Sequence, residues 1–456
     1  MAKRFVSIPA QNVYFQEEEL QFSFDNDKME GRVVNLFSEV EYQEMLGFGG
    51  AFTESAAYNY AQLTDEQKES FMKSLFTRKE GIGYNFARMH INSCDFSLDI
   101  YSYVEKGDMT LETFDLSRDE KYIIPMVKDA LKYTDEEIFL FASPWSPPDY
   151  MKENESPIRG GALKEEYKAV WGRYYAKYIQ EMAKRGITIS AITIQNEPKH
   201  CGPWESCYYS AAGEREFIEK YLVPALDEAG LSHIKIIVWD HNKERVYDRA
   251  KKLFESKTVY NRVWAIGHHW YSGDHFDGIR IAHEKFNKPL ISTEICGDIN
   301  ADVQSLAERY GKELIGDANN FTAAFCDWNL MLSDKGGPFH NRNAETVSCA
   351  GIVYEDKSSG CYAPILFDTE KRELIYTPIY YYIGHLSKFV EKGAVRLGTS
   401  SYHEKIRTAA FRNPNGTIVM IIMNEMNYEM SVNLRYNDDG AAHKLPPHSI
   451  ETIVID

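Results

Sequence analysis

The chain has no apolar run long enough to cross a bilayer as a helix. Only a few apolar residues follow Met1-Ala2-Lys3-Arg4 before Pro9 and Gln11, too few for a signal-peptide core. Cysteine is sparse, with seven residues, an odd number, scattered through 456. That usage suits a reduced, cytoplasmic protein, and a cytoplasmic location is expected, although a secreted chain trimmed of its signal would read alike. Cys201 and Cys207 are the one close pair, at a spacing that matches no zinc signature, and no HExxH motif is present, so no metal is expected. Basic residues are in deficit, 51 against 68 acidic ones, for a formal net charge of −17. This balance disfavours nucleic acid, anionic membranes and polyanionic substrates as partners, and leaves neutral sugars compatible. Internal repeats and low-complexity linkers are absent from the sequence. Gly47-Phe48-Gly49-Gly50 lacks the spacing of a dinucleotide-binding turn, which weighs against a doubly wound sheet.

What the chain does have is apolar residues in quantity, 44% hydrophobic and 13% aromatic, ample for a large core. The first 40 or so residues carry short period-two runs such as Val13-Tyr14-Phe15 and Leu20-Gln21-Phe22-Ser23-Phe24, which read as half-buried strands. From residue 45 strand-like and helix-like patterns alternate. Strands are expected over 46–52, 84–89, 138–142, 189–195, 234–239, 263–268, 289–293 and 321–325. Helical patterns fill the gaps. Thr64 and Gln67 form a capping box. A second helix is expected near 119–132. A third has its apolar stripe at Val170, Trp171, Tyr174, Tyr175, Tyr178, Ile179 and Met182 and closes at Gly186. The last runs from Pro378 to Val390. Eight near-continuous apolar strands interleaved with amphipathic helices predict an α/β fold, a closed (β/α)8 TIM barrel over 45–390. After 390 the pattern returns to strand–turn–strand, with Asn413-Pro414-Asn415-Gly416 as a hairpin turn and a strand-like tail from Ser449 to Ile455. Residues 1–44 and 391–456 together are expected to form a small side β-sandwich.

Two of the barrel strands end in a glutamate: Thr193-Ile194-Gln195-Asn196-Glu197-Pro198 and Ile291-Ser292-Thr293-Glu294. A carboxylate at the mouth of a buried strand is costly without a purpose. Two facing one pocket are the minimum equipment for cutting a glycosidic bond. Strand ends of such a barrel also supply Arg88, Asp95, Trp145, Asn196, His269, Tyr271 and Trp328, a set rich in amide, carboxylate and indole groups suited to sugar hydroxyls and ring faces. Each alone has a plainer reading: Glu197 as a loop carboxylate, Glu294 as a helix-start acid, Arg88 as a counter-ion, Trp145 and Trp328 as core aromatics. His268 and His269 are adjacent, so on a strand they point to opposite faces.

Several motifs in order carry a resemblance. Gly47-Phe48-Gly49-Gly50-Ala51-Phe52-Thr53, Ser93-Cys94-Asp95-Phe96-Ser97, Ala142-Ser143-Pro144-Trp145-Ser146-Pro147-Pro148, Gln195-Asn196-Glu197-Pro198 and His269-Trp270-Tyr271 are followed by Ser292-Thr293-Glu294, Asp327-Trp328-Asn329-Leu330, Gly336-Gly337-Pro338 and Gly384-His385-Leu386-Ser387-Lys388-Phe389. Over about residues 46 to 390 the chain resembles glycoside hydrolase family 30, which includes glucosylceramidase and β-1,6-glucanase enzymes. The resemblance implies a barrel with a side sandwich and hydrolysis with retention of configuration. It places the acid/base on Glu197 and the nucleophile on Glu294. It assigns sugar binding to Arg88, Asp95, Trp145, Asn196, Tyr271, Trp328 and Asn343. Phe339-His340 stands where glucosylceramidase-like chains tend to have a polar residue and a tryptophan.

The expected activity is that of a retaining β-glucosidase of glucosylceramidase type, on a small-molecule or oligosaccharide β-glycoside, with no metal or organic cofactor and no membrane span. Endo-β-1,6-glucanase, β-xylosidase and β-fucosidase activities remain open, as does a non-catalytic carbohydrate-binding protein. Nothing in the sequence fixes an oligomeric state. The charge of Glu294 and apolar walls such as Trp145 are expected to keep Glu197 protonated.

Overall fold

The computed structural model describes residues 2–25, 30–340 and 360–456, together with the backbone of Val347–Cys349 and Ile352–Tyr354. Asn343 lies outside the described residues. Eight parallel strands close into a barrel. They are β1 (Gly47–Phe52), β2 (Phe86–Ile91), β3 (Phe139–Pro144), β4 (Ala191–Thr193), β5 (Lys235–Asn242), β6 (Val263–His269), β7 (Leu290–Glu294) and β8 (Thr322–Asn329). β8 pairs with β1, which completes the ring.

The apolar runs are continuous because both faces of each strand are buried. Phe86, Phe141, Ala191, Ile237, Ala265, Ile291, Ala324 and Cys326 pack together in a cluster of their own, one or two from each of β2 to β8. Their neighbours Ile236, Val238 and Ile266 turn the other way and join the large core shared with the helices. β1 leaves no room for a side chain against β2 at Gly49, where a built Cβ would sit 1.5 Å from the Phe86 carbonyl oxygen. Gly49 is therefore required by the approach of two backbones, whereas Gly47 and Gly50 face the Asn85 and Leu330 side chains.

Local signals act as the sequence implies. The Thr64 Oγ1 accepts from the Gln67 N–H while the Gln67 side chain accepts from the Thr64 N–H. The helix Lys168–Lys184 buries the expected aromatic stripe and is followed by Gly186 at φ +78°. Elsewhere the ends differ. The helix expected near 119–132 is two pieces, Ser117–Lys121 and Ile123–Tyr133, broken at Tyr122. Pro125 accounts for the break, since it has no N–H to donate and its ring crowds the carbonyl four residues back. The last helix stops at Ser387, short of Val390. β5 and β8 run several residues past their apolar runs, to Asn242 and Asn329. β4 is shorter than its pattern, because from Ile194 onward the chain leaves the ladder to shape the site.

Both chain ends meet in one ten-stranded sheet beside the barrel. Ala2–Ile8 pairs antiparallel with Ser449–Ile455. A long strand, Val33–Glu44, pairs with Val395–Ser401 on one side and Met430–Tyr436 on the other. Val34, Leu36, Leu397, Ile422, Leu434 and Ile453 lie in one shared core, separate from that of the barrel.

The contrast between two glycines of β1 is testable. Gly49→Ala forces a methyl group into backbone that cannot yield, and is expected to cost about 3 kcal/mol or more in urea unfolding. Gly50→Ala meets the end of the Leu330 side chain, which can move, and should cost clearly less. Equal losses would contradict the close approach of β1 and β2.

Candidate active site

The C-terminal ends of the strands converge, as active sites on such barrels do. β2 supplies Arg88, β3 Ser143, and the segment after β4 Asn196 and Glu197. β5 supplies Asp240 and His241, β6 His269 with Tyr271 just beyond it, β7 Thr293 and Glu294, and β8 Trp328. The backbone is bent to present them. Glu197, Trp239 and Asp240 all have left-handed conformations, at φ 47°, 73° and 52°. Such positions cost a non-glycine residue about 1–2 kcal/mol each. They are held by cross-strand bonds: the Glu197 N–H donates to the Asp240 carbonyl and the Asn196 N–H to the Pro144 carbonyl, both at 2.9 Å.

Arg88 has no exposed surface, and all five of its N–H donors are engaged by protein groups. Nε donates to Ser143 Oγ at 3.0 Å. One terminal nitrogen donates to the Thr293 carbonyl (3.0 Å) and Glu294 Oε2 (2.9 Å). The other donates to Asn196 Oδ1 (2.9 Å) and Asp240 Oδ2 (2.8 Å). Arg88 therefore works from beneath the pocket, aiming Glu294 and Asn196 upward. Tyr271 donates its hydroxyl to Glu294 Oε1 at 2.9 Å, so both carboxylate oxygens of Glu294 are fixed.

His269 joins the two glutamates. Its Nδ1 lies 3.0 Å from Glu197 Oε1 and 3.9 Å from Glu294 Oε1, and its Nε2 lies 2.9 Å from Asp240 Oδ1. The Oε1 atoms of Glu197 and Glu294 therefore cannot be farther apart than the sum of the first two distances. A neutral imidazole donates one hydrogen bond, yet both ring nitrogens face carboxylate oxygens. The Glu197–His269–Asp240 set must therefore hold a second proton, on the ring or on a carboxyl. Burial alone would push the His269 pKa down, but Glu294, Asp240 and Glu197 outweigh it and raise it to about 9. Burial would lift Asp240, but Arg88 and His269 hold it down at about 2. The extra proton therefore sits on the ring at neutral pH.

Glu197 departs from expectation here. Its neighbours are not apolar walls but the imidazoles of His241, His269 and His200. Burial raises its pKa, but these rings, His241 foremost, bring it well below the usual carboxylate range. Burial lifts Glu294 instead, against the pull of His269 and Arg88. Among the described residues, Glu197, His241 and His269 are the group of three donors whose ligand atoms lie within 4.8 Å of one another. With both His269 nitrogens donating to carboxylates, that ring has no lone pair to offer a cation.

A cavity of about 1010 Å³ opens over Glu197 and Glu294, and Asn196, Tyr271 and Trp328 also line it. It continues past His200 and Trp204, whose rings stack at 4.6 Å, toward Arg245 and Lys252. Trp145 stacks on Trp328 at 4.9 Å and packs over the Arg88 guanidinium at 4.6 Å, and is almost completely buried. Asp95 follows β2. Its Oδ1 is shielded from solvent and has no hydrogen-bond partner among the described residues, and burial, with Glu294 and Glu205 nearby, pushes its carboxyl well up. His340 bonds through Nε2 to the Cys94 carbonyl (2.8 Å) and to Glu205 (3.1 Å), which closes this side of the site.

Sequence reasoning passed over Asp240 and His241. Both come directly after the apolar run that ends at Trp239, the same rule that marked Glu197 and Glu294. His268 and His269 do face opposite ways, His268 bonding to Thr322 Oγ1 on the side of the helix Val303–Asn319.

Residues 45–390 match the glycosyl hydrolase family 30 TIM-barrel domain and residues 393–453 the glycosyl hydrolase family 30 beta sandwich domain. The chain is 29% identical to a lysosomal acid glucosylceramidase of Mus musculus over 447 residues, which covers 92% of this chain and 83% of the relative. The crystal structure of SrfJ from Salmonella typhimurium superposes with a TM-score of 0.93 at 31% identity, over 100% of this chain and 99% of that one. The structure of the endo-β1,6-glucanase BT3312 does so with a TM-score of 0.86 at 26% identity, over 99% and 98%. The closed barrel, its companion sheet and these matches across both make the chain a member of glycoside hydrolase family 30.

Proposed function

We propose that the protein is a retaining β-glycoside hydrolase that acts on β-glucosides, in the manner of a glucosylceramidase-type β-glucosidase. One observation carries the reading: Glu197 and Glu294, from strands far apart in the chain, share His269 at one end of one cavity. The bound that its Nδ1 sets on the two Oε1 atoms accommodates the roughly 5–5.5 Å of retaining sites better than the spacing of inverting ones, about 6.5–9.5 Å.

In the first step Glu294 Oε attacks the anomeric carbon while Glu197 delivers a proton to the departing oxygen. That proton is stored in the Glu197–His269–Asp240 set. As the glycosidic oxygen gains charge, Glu197 passes on a proton and His269 replaces it, with Asp240 stabilising the ring throughout. Arg88 and Tyr271 hold Glu294 as an oriented anion, so little reorganisation is left for the transition state. Formation of the glycosyl ester removes the Glu294 charge. Water then attacks on the same face and loses its proton to Glu197, which the sugar bond no longer occupies. Asn196, fixed by Arg88, is placed for the sugar 2-hydroxyl. The unpartnered Asp95 Oδ1 is suited to an outer hydroxyl, and Trp328 over Trp145 to the ring face.

The second reading is an endo-acting β-1,6-glucanase, favoured by the length of the cavity beyond the carboxylates and by the likeness to BT3312. An activity panel of aryl β-glucoside, β-xyloside, β-fucoside and β-galactoside beside a β-1,6-linked glucan separates the two. The glucoside is expected to be the preferred small substrate. Rapid cleavage of the glucan to oligomers with no aryl glucoside turnover would overturn the first reading.

Glu197→Gln should lower kcat/KM for poorly leaving aglycones about 10³-fold, within the range for a lost general acid, and change it far less for a dinitrophenyl glucoside. Equal losses on both would reject the role of Glu197. The alkaline limb of kcat/KM is expected near pH 9. The His269 proton is retained below its raised folded value and lost as pH rises through it, and the set then lacks the proton that the leaving group needs. His269→Asn should move that limb toward neutral pH. A wild-type limb near the ordinary histidine value of about 6.5 would contradict the proton store.

A further inference from the structure

Two thiols stand beside the catalytic carboxylates without a part in the mechanism above. Cys296 follows β7 by two residues, and its Sγ lies 3.2 Å from that of Cys361. Both are free, half-buried, and line the same cavity as Glu197 and Glu294. Among the described residues, the other free thiols, Cys94, Cys207 and Cys326, are buried. We propose that Cys296 and Cys361 form an oxidisable dithiol at the wall of the active site, and that its closure to a disulfide slows the enzyme by pulling Cys296 off Tyr271.

The geometry supports both halves of this statement. The two segments are already held together: Asp298 and Cys361 form an antiparallel bridge, the Ile299 N–H donates to the Gly360 carbonyl (3.0 Å) and the Tyr362 N–H to the Gly297 carbonyl (2.8 Å). Disulfide sulfurs sit about 2.05 Å apart, so closure requires the two to approach by roughly 1 Å, within reach of side-chain rotation. The link to catalysis is Tyr271. Its hydroxyl lies 3.4 Å from Cys296 Sγ and 2.9 Å from Glu294 Oε1. A sulfur drawn toward Cys361 leaves that hydroxyl without its second neighbour, and the group that orients the nucleophile loses its constraint. Misplacement of about 1 Å near a reacting atom can cost as much as 10²-fold in rate.

The chemistry needs a two-electron oxidant small enough to enter the cavity, of the peroxide class. One sulfur, as its thiolate, attacks a peroxide oxygen. The O–O bond breaks, and a sulfenic acid and hydroxide result. The second sulfur displaces hydroxide from the first, forming S–S as S–O breaks. Two thiols are oxidised, and the peroxide is reduced to two waters. The hydrogen bond to Cys361, burial and the Glu294 charge all raise the Cys296 thiol well above its usual value, which slows attack by that sulfur at neutral pH.

The effect on rate rests on the reading of Glu294 as nucleophile, whereas the bond itself does not. The test treats the whole protein with hydrogen peroxide, alkylates remaining thiols, and reads non-reduced peptides by mass spectrometry beside aryl glucoside turnover. A peptide joining Cys296 to Cys361 is expected, with kcat about tenfold lower and recovery in dithiothreitol. Cys361→Ala and Cys361→Ser, each compared with its own untreated rate, should keep that rate under peroxide. Absence of the joined peptide overturns the proposal. So does an equal loss of rate in the Cys361 variants. A joined peptide with unchanged turnover retains the bond and removes its coupling to Tyr271.

Discussion

One buried guanidinium sets the arrangement of everything above it. Arg88 is enclosed on all sides, and a charge so placed is tolerated only when its partners are complete. They are complete: five donors meet five oxygens, drawn from β3, β5, β7 and the segment after β4. The ion thus acts as the keystone of the barrel's open end. It fixes Glu294 from below, turns Asn196 toward the cavity, and binds the Asp240 whose other oxygen holds His269. Removing it would leave three carboxylates and one imidazolium to rearrange in a low-dielectric site, with no charge to order them.

From this constraint follows the handling of the proton. A retaining hydrolase needs a neutral acid and an anionic nucleophile side by side, and two bare carboxylates would divide one proton between them. Here the imidazole of His269 lies between the pair, with Asp240 behind it. In the proposed mechanism the proton rests on the ring, and Glu197 relays it. The sequence suggested a different device, the charge of Glu294 helped by apolar walls, raising the Glu197 pKa. The structure uses three imidazoles around Glu197 and keeps Trp145 for the floor, against Arg88.

The fold was legible because barrel strands buried on both faces read as uninterrupted apolar runs, and because each run was followed by a capped or striped helix. The two glutamates were legible for the same reason: each ends such a run abruptly. Asp240 was not, although it follows Trp239 in the same way, because β5 continues in polar residues to Asn242 and its left-handed backbone there has no sequence signature. The strand Val33–Glu44 was also missed as a unit. Half of its residues are exposed, Phe37, Val40 and Tyr42 among them, and what holds it is pairing with strands more than 350 residues away. Ends of elements moved for local reasons, as at Pro125, where a missing N–H separates the polar turn Ser117–Lys121 from the apolar helix Ile123–Tyr133.

The family membership gives the class of reaction, and the course we propose for it rests on two acids about one histidine. That course is tested most directly by a 2-deoxy-2-fluoro-β-glucoside carrying a dinitrophenyl leaving group, whose fluorine slows release of any covalent intermediate. Digestion and mass spectrometry of the stalled protein should find the fluorosugar esterified to the peptide that contains Glu294, with activity returning as the ester turns over. No adduct at all would contradict the double displacement, and one carried by Glu197 or any other residue would contradict Glu294 as its nucleophile.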